Sequence, residues 1–207
     1  MDFRVISLLI GYAFGLIKAA IIIGRLFYGI DILEHGSKNA GATNVNRIMG
    51  IKAGLLVFIL DILKAVAAFV IATLLFDGGG SFFGTTYVLP GIYAGLGTVL
   101  GHNFPFYLKF KGGKGIACTL AIILMIDFRV ALITFTMGVI LVIIFRYISL
   151  ASLAIVLLTP ILMFFFGYML EAVIVSVVLC ILAWFMHREN IQKIMTGTER
   201  RFSFKKS

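Results

Sequence analysis

Seven apolar runs, at residues 5–24, 53–76, 86–106, 115–126, 130–145, 148–166 and 171–186, follow one another with short links between them. This pattern constrains the fold more than any other feature. A helix crossing the hydrocarbon core of a bilayer takes about 20 apolar residues. With 61% hydrophobic and 13% charged residues in 207, the chain carries more apolar surface than a soluble domain of this length can bury. The expected fold is all-α: a polytopic integral membrane helical bundle of seven transmembrane helices, forming a single membrane-embedded domain over residues 1–207. The runs at 115–126, 130–145 and 171–186 are short for a span, so five spans, with other helices tilted, recessed or paired as hairpins, is the alternative. The first run is too long for a signal-peptide core and ends in Gly24-Arg25 without an A-x-A-like site, so it reads as a retained span.

Basic residues set the expected orientation, because cytoplasmic links carry the excess of Lys and Arg. Alternate links place Arg25, Lys38, Arg47, Lys52, Lys109, Lys111, Lys114, Arg146, Arg188, Lys193, Arg200, Arg201, Lys205 and Lys206 on one side. The other side has Arg4 and Arg129, with Lys18 and Lys64 inside the runs. The N-terminus is therefore expected outside and the C-terminus in the cytoplasm. The outer links at 77–85, 127–129 and 167–170 hold little functional chemistry, whereas nearly every polar residue of interest lies on the inner side. The net charge of +9 fits a membrane surface and small anionic substrates better than nucleic acid, since the basic residues are scattered over short links. Cys118 and Cys180 lie in apolar runs without C-x-x-C spacing, which argues against a disulfide framework.

Three inner segments carry candidate chemistry. In residues 35–47, Gly36, Gly41 and Ala42 allow close backbone approach, Ser37, Asn39, Thr43 and Asn44 offer neutral hydrogen-bonding groups, and Arg47 offers a planar fork suited to phosphate. A helix starting near Thr43 would add N–H groups facing an anion; the plainer reading is a polar turn with a capping residue. In residues 110–116, Gly112, Gly113 and Gly115 beside Lys111 and Lys114 can form a concave nest of backbone N–H groups. The plainer reading is a flexible turn whose lysines mark the membrane boundary. It is not a Walker A loop, which needs Gly where Leu108 stands and Ser or Thr where Gly115 stands. In residues 187–199, His187 and Asn190 share a face if the last apolar helix continues through them, and His187 can donate to phosphate or act as a base. The alternative is an ordinary helix end at the interface.

Elsewhere, Asp61 and Lys64 stand three apart inside a run and are expected to form an intramembrane ion pair of mainly structural value. Lys18 is expected to snorkel to the interface. His102-Asn103 is expected to pack the second segment rather than ligate. The three histidines and the carboxylates lack zinc-site spacing, and no metal is expected.

The strings themselves resemble one family. Residues 36–47, Gly-Ser-Lys-Asn-Ala-Gly-Ala-Thr-Asn-Val-Asn-Arg, are similar to G-S-G-N-x-G-A-T-N-x-x-R of the bacterial acyl-phosphate:glycerol-3-phosphate acyltransferases. Residues 100–105 and 110–115 resemble its L-G-H-x-x-P and F-K-G-G-K-G, and His187-Arg-Glu-Asn-Ile191 with Gly197 and Glu199 resembles its H-R-x-N-I and G-x-E. Order and spacing agree over essentially the whole chain. Departures are Lys38 where Gly is common, Cys118 where Thr is common, and Leu16-Ile-Lys18 where S-I-P is frequent.

The resemblance implies transfer of a fatty acyl group from acyl phosphate to the 1-hydroxyl of sn-glycerol 3-phosphate, giving lysophosphatidic acid and phosphate. It implies no cofactor, membrane lipid as surroundings, and transient contact with a soluble enzyme that forms acyl phosphate. In keeping with this, H-x-x-x-x-D, the pattern of other glycerophosphate acyltransferases, does not follow any of the histidines. By resemblance Ser37, Arg47, Lys114, His187 and Asn190 form the polar core of the site and Gly112, Gly113 and Gly115 its backbone cradle. The expected role of the protein is to gather two anionic reactants and hold hydroxyl against carbonyl, the proton passing to His187 or to the substrate's own phosphate. A transporter of phosphorylated molecules and a scaffold for lipid-synthesis proteins are the competing classes. Against transport, the polar residues cluster on one face without matched interrupted helices around a midplane site.

Overall fold

The computed structural model describes residues 2–77 and 88–202. Most of the 77–85 link, together with Lys205 and Lys206 of the expected basic tail, lies outside the described residues. Among those described there are ten α-helices, one 3-10 helix and no strand. That is the expectation for backbone in lipid, where N–H and C=O groups must be satisfied within the chain. Each of the seven apolar runs carries helix. Four segments are long and apolar enough to cross a membrane: Phe3–Tyr28, Ile51–Phe76, Phe128–Phe145 and Ile148–Phe165. The pair Leu170–Met186 and Arg188–Met195, bent by 60°, makes a fifth if it is one span. The chain is a multi-pass, all-helical membrane protein. Two compact units divide it, Met1–Met125 and Ile126–Ser207.

The first unit contains α1 (Phe3–Gly15), α2 (Ala19–Tyr28), α3 (Ala42–Met49), α4 (Ile51–Asp77), α5 (Leu89–Asn103), the 3-10 helix Phe106–Leu108 and α6 (Ile116–Ile126). The first apolar run is not one continuous helix. It breaks at Leu16-Ile17-Lys18, and side chains take up the carbonyls released there: Tyr107 Oη donates to Leu16 O at 2.6 Å and Lys64 Nζ to Ile17 O at 2.8 Å. Lys18 corrects a sequence expectation. Instead of snorkelling it is 3% exposed, and its ammonium donates to the carbonyl of His102.

Close packing of α1 on α5 depends on two G-x-x-x-G spacings that the motif reading passed over, Gly11/Gly15 and Gly97/Gly101. A Cβ on Gly11 would overlap the carbonyl of Ala94, one on Gly97 that of Leu8, and one on Gly101 that of Tyr12. Small residues at this spacing let two membrane helices approach until their backbones touch, which is how helices associate where lipid removes the hydrophobic drive.

The second unit contains α7 (Phe128–Phe145), α8 (Ile148–Phe165), α9 (Leu170–Met186) and α10 (Arg188–Met195). Asp127 caps α7 by accepting from Arg129 N at 2.7 Å. Its carboxylate also takes the Arg129 guanidinium at 2.7 Å and Tyr168 Oη at 2.9 Å, so one residue ties the start of α7 to the α8–α9 link. Burial works against its charge, but the Arg129 side chain dominates and holds the Asp127 carboxyl down at about 2.

Candidate functional site

The segment before α3 is a loop organised from within. Asn44 is 2% exposed; its Oδ1 accepts from Ser37 N at 2.9 Å, and its Nδ2 donates to the carbonyls of Ile32 at 3.3 Å, His35 at 3.0 Å and Asn39 at 3.1 Å. This side chain holds the loop closed and does not present itself to a ligand, which corrects its place among the expected substrate contacts. Gly36 is glycine for two reasons: its φ is +62°, and a Cβ would run into the Asn44 amide. Arg25 pairs with Asp31 at 2.6 Å and holds that carboxyl below the ordinary aspartate range, and Asp31 O bonds the His35 ring at 2.8 Å. On this frame Ser37, Thr43 and Arg47 are exposed, and Asn39 is half-buried. Gly41 is the N-cap of α3, so the helix starts where the sequence suggested.

The second segment meets part of its expectation and corrects another. Gly113 N donates to His102 O at 3.0 Å, so this amide faces the protein and is not part of an outward nest. Gly112 and Gly113 are small because the loop lies on the end of α5: a Cβ on Gly112 would overlap the carbonyls of His102 and Asn103, and one on Gly113 the His102 ring. Gly115 has φ +73°, and a Cβ there would come within 2.9 Å of Asn103 Oδ1. His102 and Asn103 therefore pack the loop, as expected. Lys111 is exposed and Lys114 half-buried. Lys114 stands two residues before α6, whose first-turn N–H groups have no intrahelical partner. Segments 35–47 and 109–115 contain no acidic residue. Leu108, just before the second segment, packs against the hydrophobic cluster that includes Ala40 and Val45 of the first.

Beneath the second segment lies a cluster of ionisable side chains that only folding assembles. Asp61, His102 and Cys118 bring ligand atoms within 4.8 Å of one another, the residue types that bind metals. The Lys64 ammonium lies beside two of them, 2.6 Å from Asp61 Oδ1 and 2.9 Å from His102 Nδ1. Cys118 Sγ donates to Asp61 O at 3.4 Å and is thus a thiol. A cation thus already stands against two of the three groups a metal would need. The Asp61–Lys64 ion pair expected from the sequence is present, with a partner in His102 that sequence spacing did not indicate.

In the second unit the last apolar helix does not continue through His187. Helix α9 ends at Met186, and the chain turns by 60° into α10 with His187 at the corner. His187 is instead the N-cap of α10, and its carbonyl accepts from Ile191 N at 2.9 Å, so His187 and Asn190 lie in one turn of α10 and not on a continuation of α9. His187 is 3% exposed, and its Nδ1 lies 2.7 Å from Ala183 O, which only accepts, so Nδ1 carries a proton. Helix α10 closes on Gly197, φ +69°, with Thr198 N on Lys193 O at 2.8 Å and Gly197 N on Ile194 O at 3.1 Å, a Schellman turn. The turn brings Glu199 back: its Oε1 accepts from Asn190 Nδ2 at 2.8 Å and Ser149 Oγ at 2.7 Å. Ser149, at the start of α8, was not singled out, because one serine in an apolar run has no pattern to mark it.

Comparison with known proteins agrees with this arrangement. The family model described as glycerol-3-phosphate acyltransferase matches residues 5–197. A glycerol-3-phosphate acyltransferase of Alkaliphilus metalliredigens is 39% identical over 196 residues, 95% of this chain and 94% of the relative. That of Aquifex aeolicus is 38% identical over 191 residues, 92% and 95% of the two chains. A crystal structure of PlsY (YgiH), an integral membrane glycerol 3-phosphate acyltransferase in its glycerol 3-phosphate form, superposes with a TM-score of 0.85 at 35% identity, covering 98% of this chain and 96% of that one. Its lysophosphatidic acid form gives 0.83 with the same identity and coverage. With the order of its three polar segments, its helical architecture and this similarity over nearly its full length, the chain belongs to the glycerol-3-phosphate acyltransferase family.

Proposed function

We propose that this chain transfers a fatty acyl group from acyl phosphate to the 1-hydroxyl of sn-glycerol 3-phosphate, forming lysophosphatidic acid and inorganic phosphate. The observation that carries the reading is the near full-length similarity to PlsY, whose two crystal forms hold the acceptor and the product of such a transfer. The acyl-phosphate donor is the one that the resemblance of the three polar segments implies, and its chemistry fits them. An acyl phosphate is a mixed anhydride with a good leaving group, so positioning and charge neutralisation suffice without a covalent intermediate or a metal.

In this reading Arg47 forks onto one phosphate, Lys114 supplies a point charge, and Ser37, Thr43 and the N-terminal amides of α6 supply neutral donors. These groups offset the repulsion between two anionic substrates. The hydroxyl oxygen attacks the acyl carbonyl carbon, the bond from that carbon to the phosphate oxygen breaks, and the hydroxyl proton passes to a phosphate oxygen or to His187. Asn190 is held by Glu199, whose Oε1 also accepts from Ser149 Oγ, so its amide is oriented before substrate arrives. The chain acts as one domain of seven spans, or of five, in the inner membrane, N-terminus outside and its polar segments in the cytoplasm, where a soluble enzyme can deliver acyl phosphate. The strong asymmetry of Lys and Arg between alternate links supports this orientation.

The deciding assay uses the purified full-length protein in detergent with glycerol 3-phosphate and either acyl phosphate or acyl-coenzyme A. Lysophosphatidic acid is expected with acyl phosphate alone. Equal or faster turnover of the coenzyme A thioester would remove the donor assignment.

A further inference from the structure

Lys64 is buried on α4, and three acceptors surround its Nζ: Asp61 Oδ1 at 2.6 Å, Ile17 O at 2.8 Å and His102 Nδ1 at 2.9 Å. An ammonium has three hydrogens and no lone pair; here it bonds Ile17 O and His102 Nδ1 and pairs by charge with Asp61. Because Lys64 only donates, His102 Nδ1 accepts, and the imidazole proton is on Nε2. That edge of the ring lies against Gly113, where there is no room for a Cβ. The backbone of the same histidine is equally committed. His102 O, at the C-terminal end of α5, accepts from Gly113 N at 3.0 Å and from the Lys18 ammonium. Two cations thus sit at the negative end of a helix, a placement the helix dipole favours.

The consequence is geometric. The 111–115 loop has little internal bonding to define its shape, and Gly112 and Gly113 lie directly on His102. We propose that Lys64 and His102 are positioning residues for this loop: the buried ammonium fixes the ring and its backbone, and these in turn set the height and direction of Lys114. Neither residue touches substrate. The proposal rests on the reading that the loop receives a substrate phosphate, and it explains why an intramembrane ion pair stands directly under that loop instead of being replaced by apolar side chains, which lipid surroundings would favour.

The test compares two variants of the full-length enzyme. Lys114→Ala identifies which substrate's KM depends on the loop. Asp61→Asn combined with Lys64→Met then removes the ammonium without leaving a lone buried carboxylate. The double variant is expected to raise that same KM at least roughly tenfold while kcat stays within about threefold. An unchanged KM with a lowered melting temperature would mean that the cluster only stabilises the fold, and a large fall in kcat at unchanged KM would equally overturn the proposal. If Lys114→Ala alters neither KM, the phosphate reading of the loop is what fails. Wild-type protein without substrate supplies a check independent of both variants. Its Gly113 amide must exchange far more slowly than an unprotected amide, and exchange at the unprotected rate would end the proposal.

Discussion

Lys38 holds a left-handed backbone, φ +56°, at the position where the family pattern has Gly. An L side chain there costs about 1 kcal/mol, so Lys38→Gly is expected to raise stability by about that amount, read as a shift of the unfolding transition in detergent. Activity should persist, because the glycine keeps the turn that places Ser37. Arg47 is the opposite case, a side chain whose geometry is its function. Arg47→Lys keeps the charge but removes a planar pair of donors. A loss of about 2–3 kcal/mol, roughly a 100-fold fall in kcat/KM, is expected, and an activity near that of the wild type would remove Arg47 from the site. Asn44 shows why residue identity alone misassigns roles: its amide suits a ligand as well as it suits a loop, and only its burial reveals that it binds backbone.

Between elements, the α1–α5 contact is made by backbone against backbone. Gly97 faces the carbonyl of Leu8 and the amide of Tyr12 so closely that any Cβ must push the helices apart. Gly97→Val should therefore destabilise the protein by about 3 kcal/mol or more, in the range of strong overpacking, and should sharply lower the yield of folded, monodisperse protein. A Gly91→Val control would not be informative, since Phe69 crowds that position as well. The α9–α10 bend is decided at the same scale. Nothing in Met186-His187-Arg188 breaks a helix by propensity, yet the turn lets α10 and its closing Schellman motif return Glu199 to Asn190 and Ser149.

For the molecule as a whole, acid should reveal the Asp127 latch. Its folded carboxyl is held at about 2 against an ordinary 3.8. A depressed carboxyl contributes stability that is complete above its unfolded value and is lost as pH falls through the folded one. Thermal stability is thus expected to decline between about pH 4 and pH 2. Asp127→Asn should be less stable at neutral pH and show a flatter decline, which a pH series of melting curves would read. A variant with the wild-type slope would show that other carboxylates govern acid unfolding.

Much was legible from the chain alone: lipid as solvent, helices as the secondary structure, and three polar segments of phosphate-binding character. Apolar length and local residue chemistry determine these, and both are properties of contiguous sequence. The Asp61–Lys64 pair was readable for the same reason, being one helical turn apart. What only the tertiary structure decided involves partners distant in the chain. The burial of Lys18 on the His102 carbonyl, the bonding of Lys64 to Ile17 and His102, and the meeting of Ser149 with Glu199 each join residues tens of positions apart. The direction of a backbone amide belongs with them. Gly113 looked like part of an outward nest, but a carbonyl at the end of α5 claims its N–H, because a polar group in a buried setting bonds to whichever partner folding brings within reach.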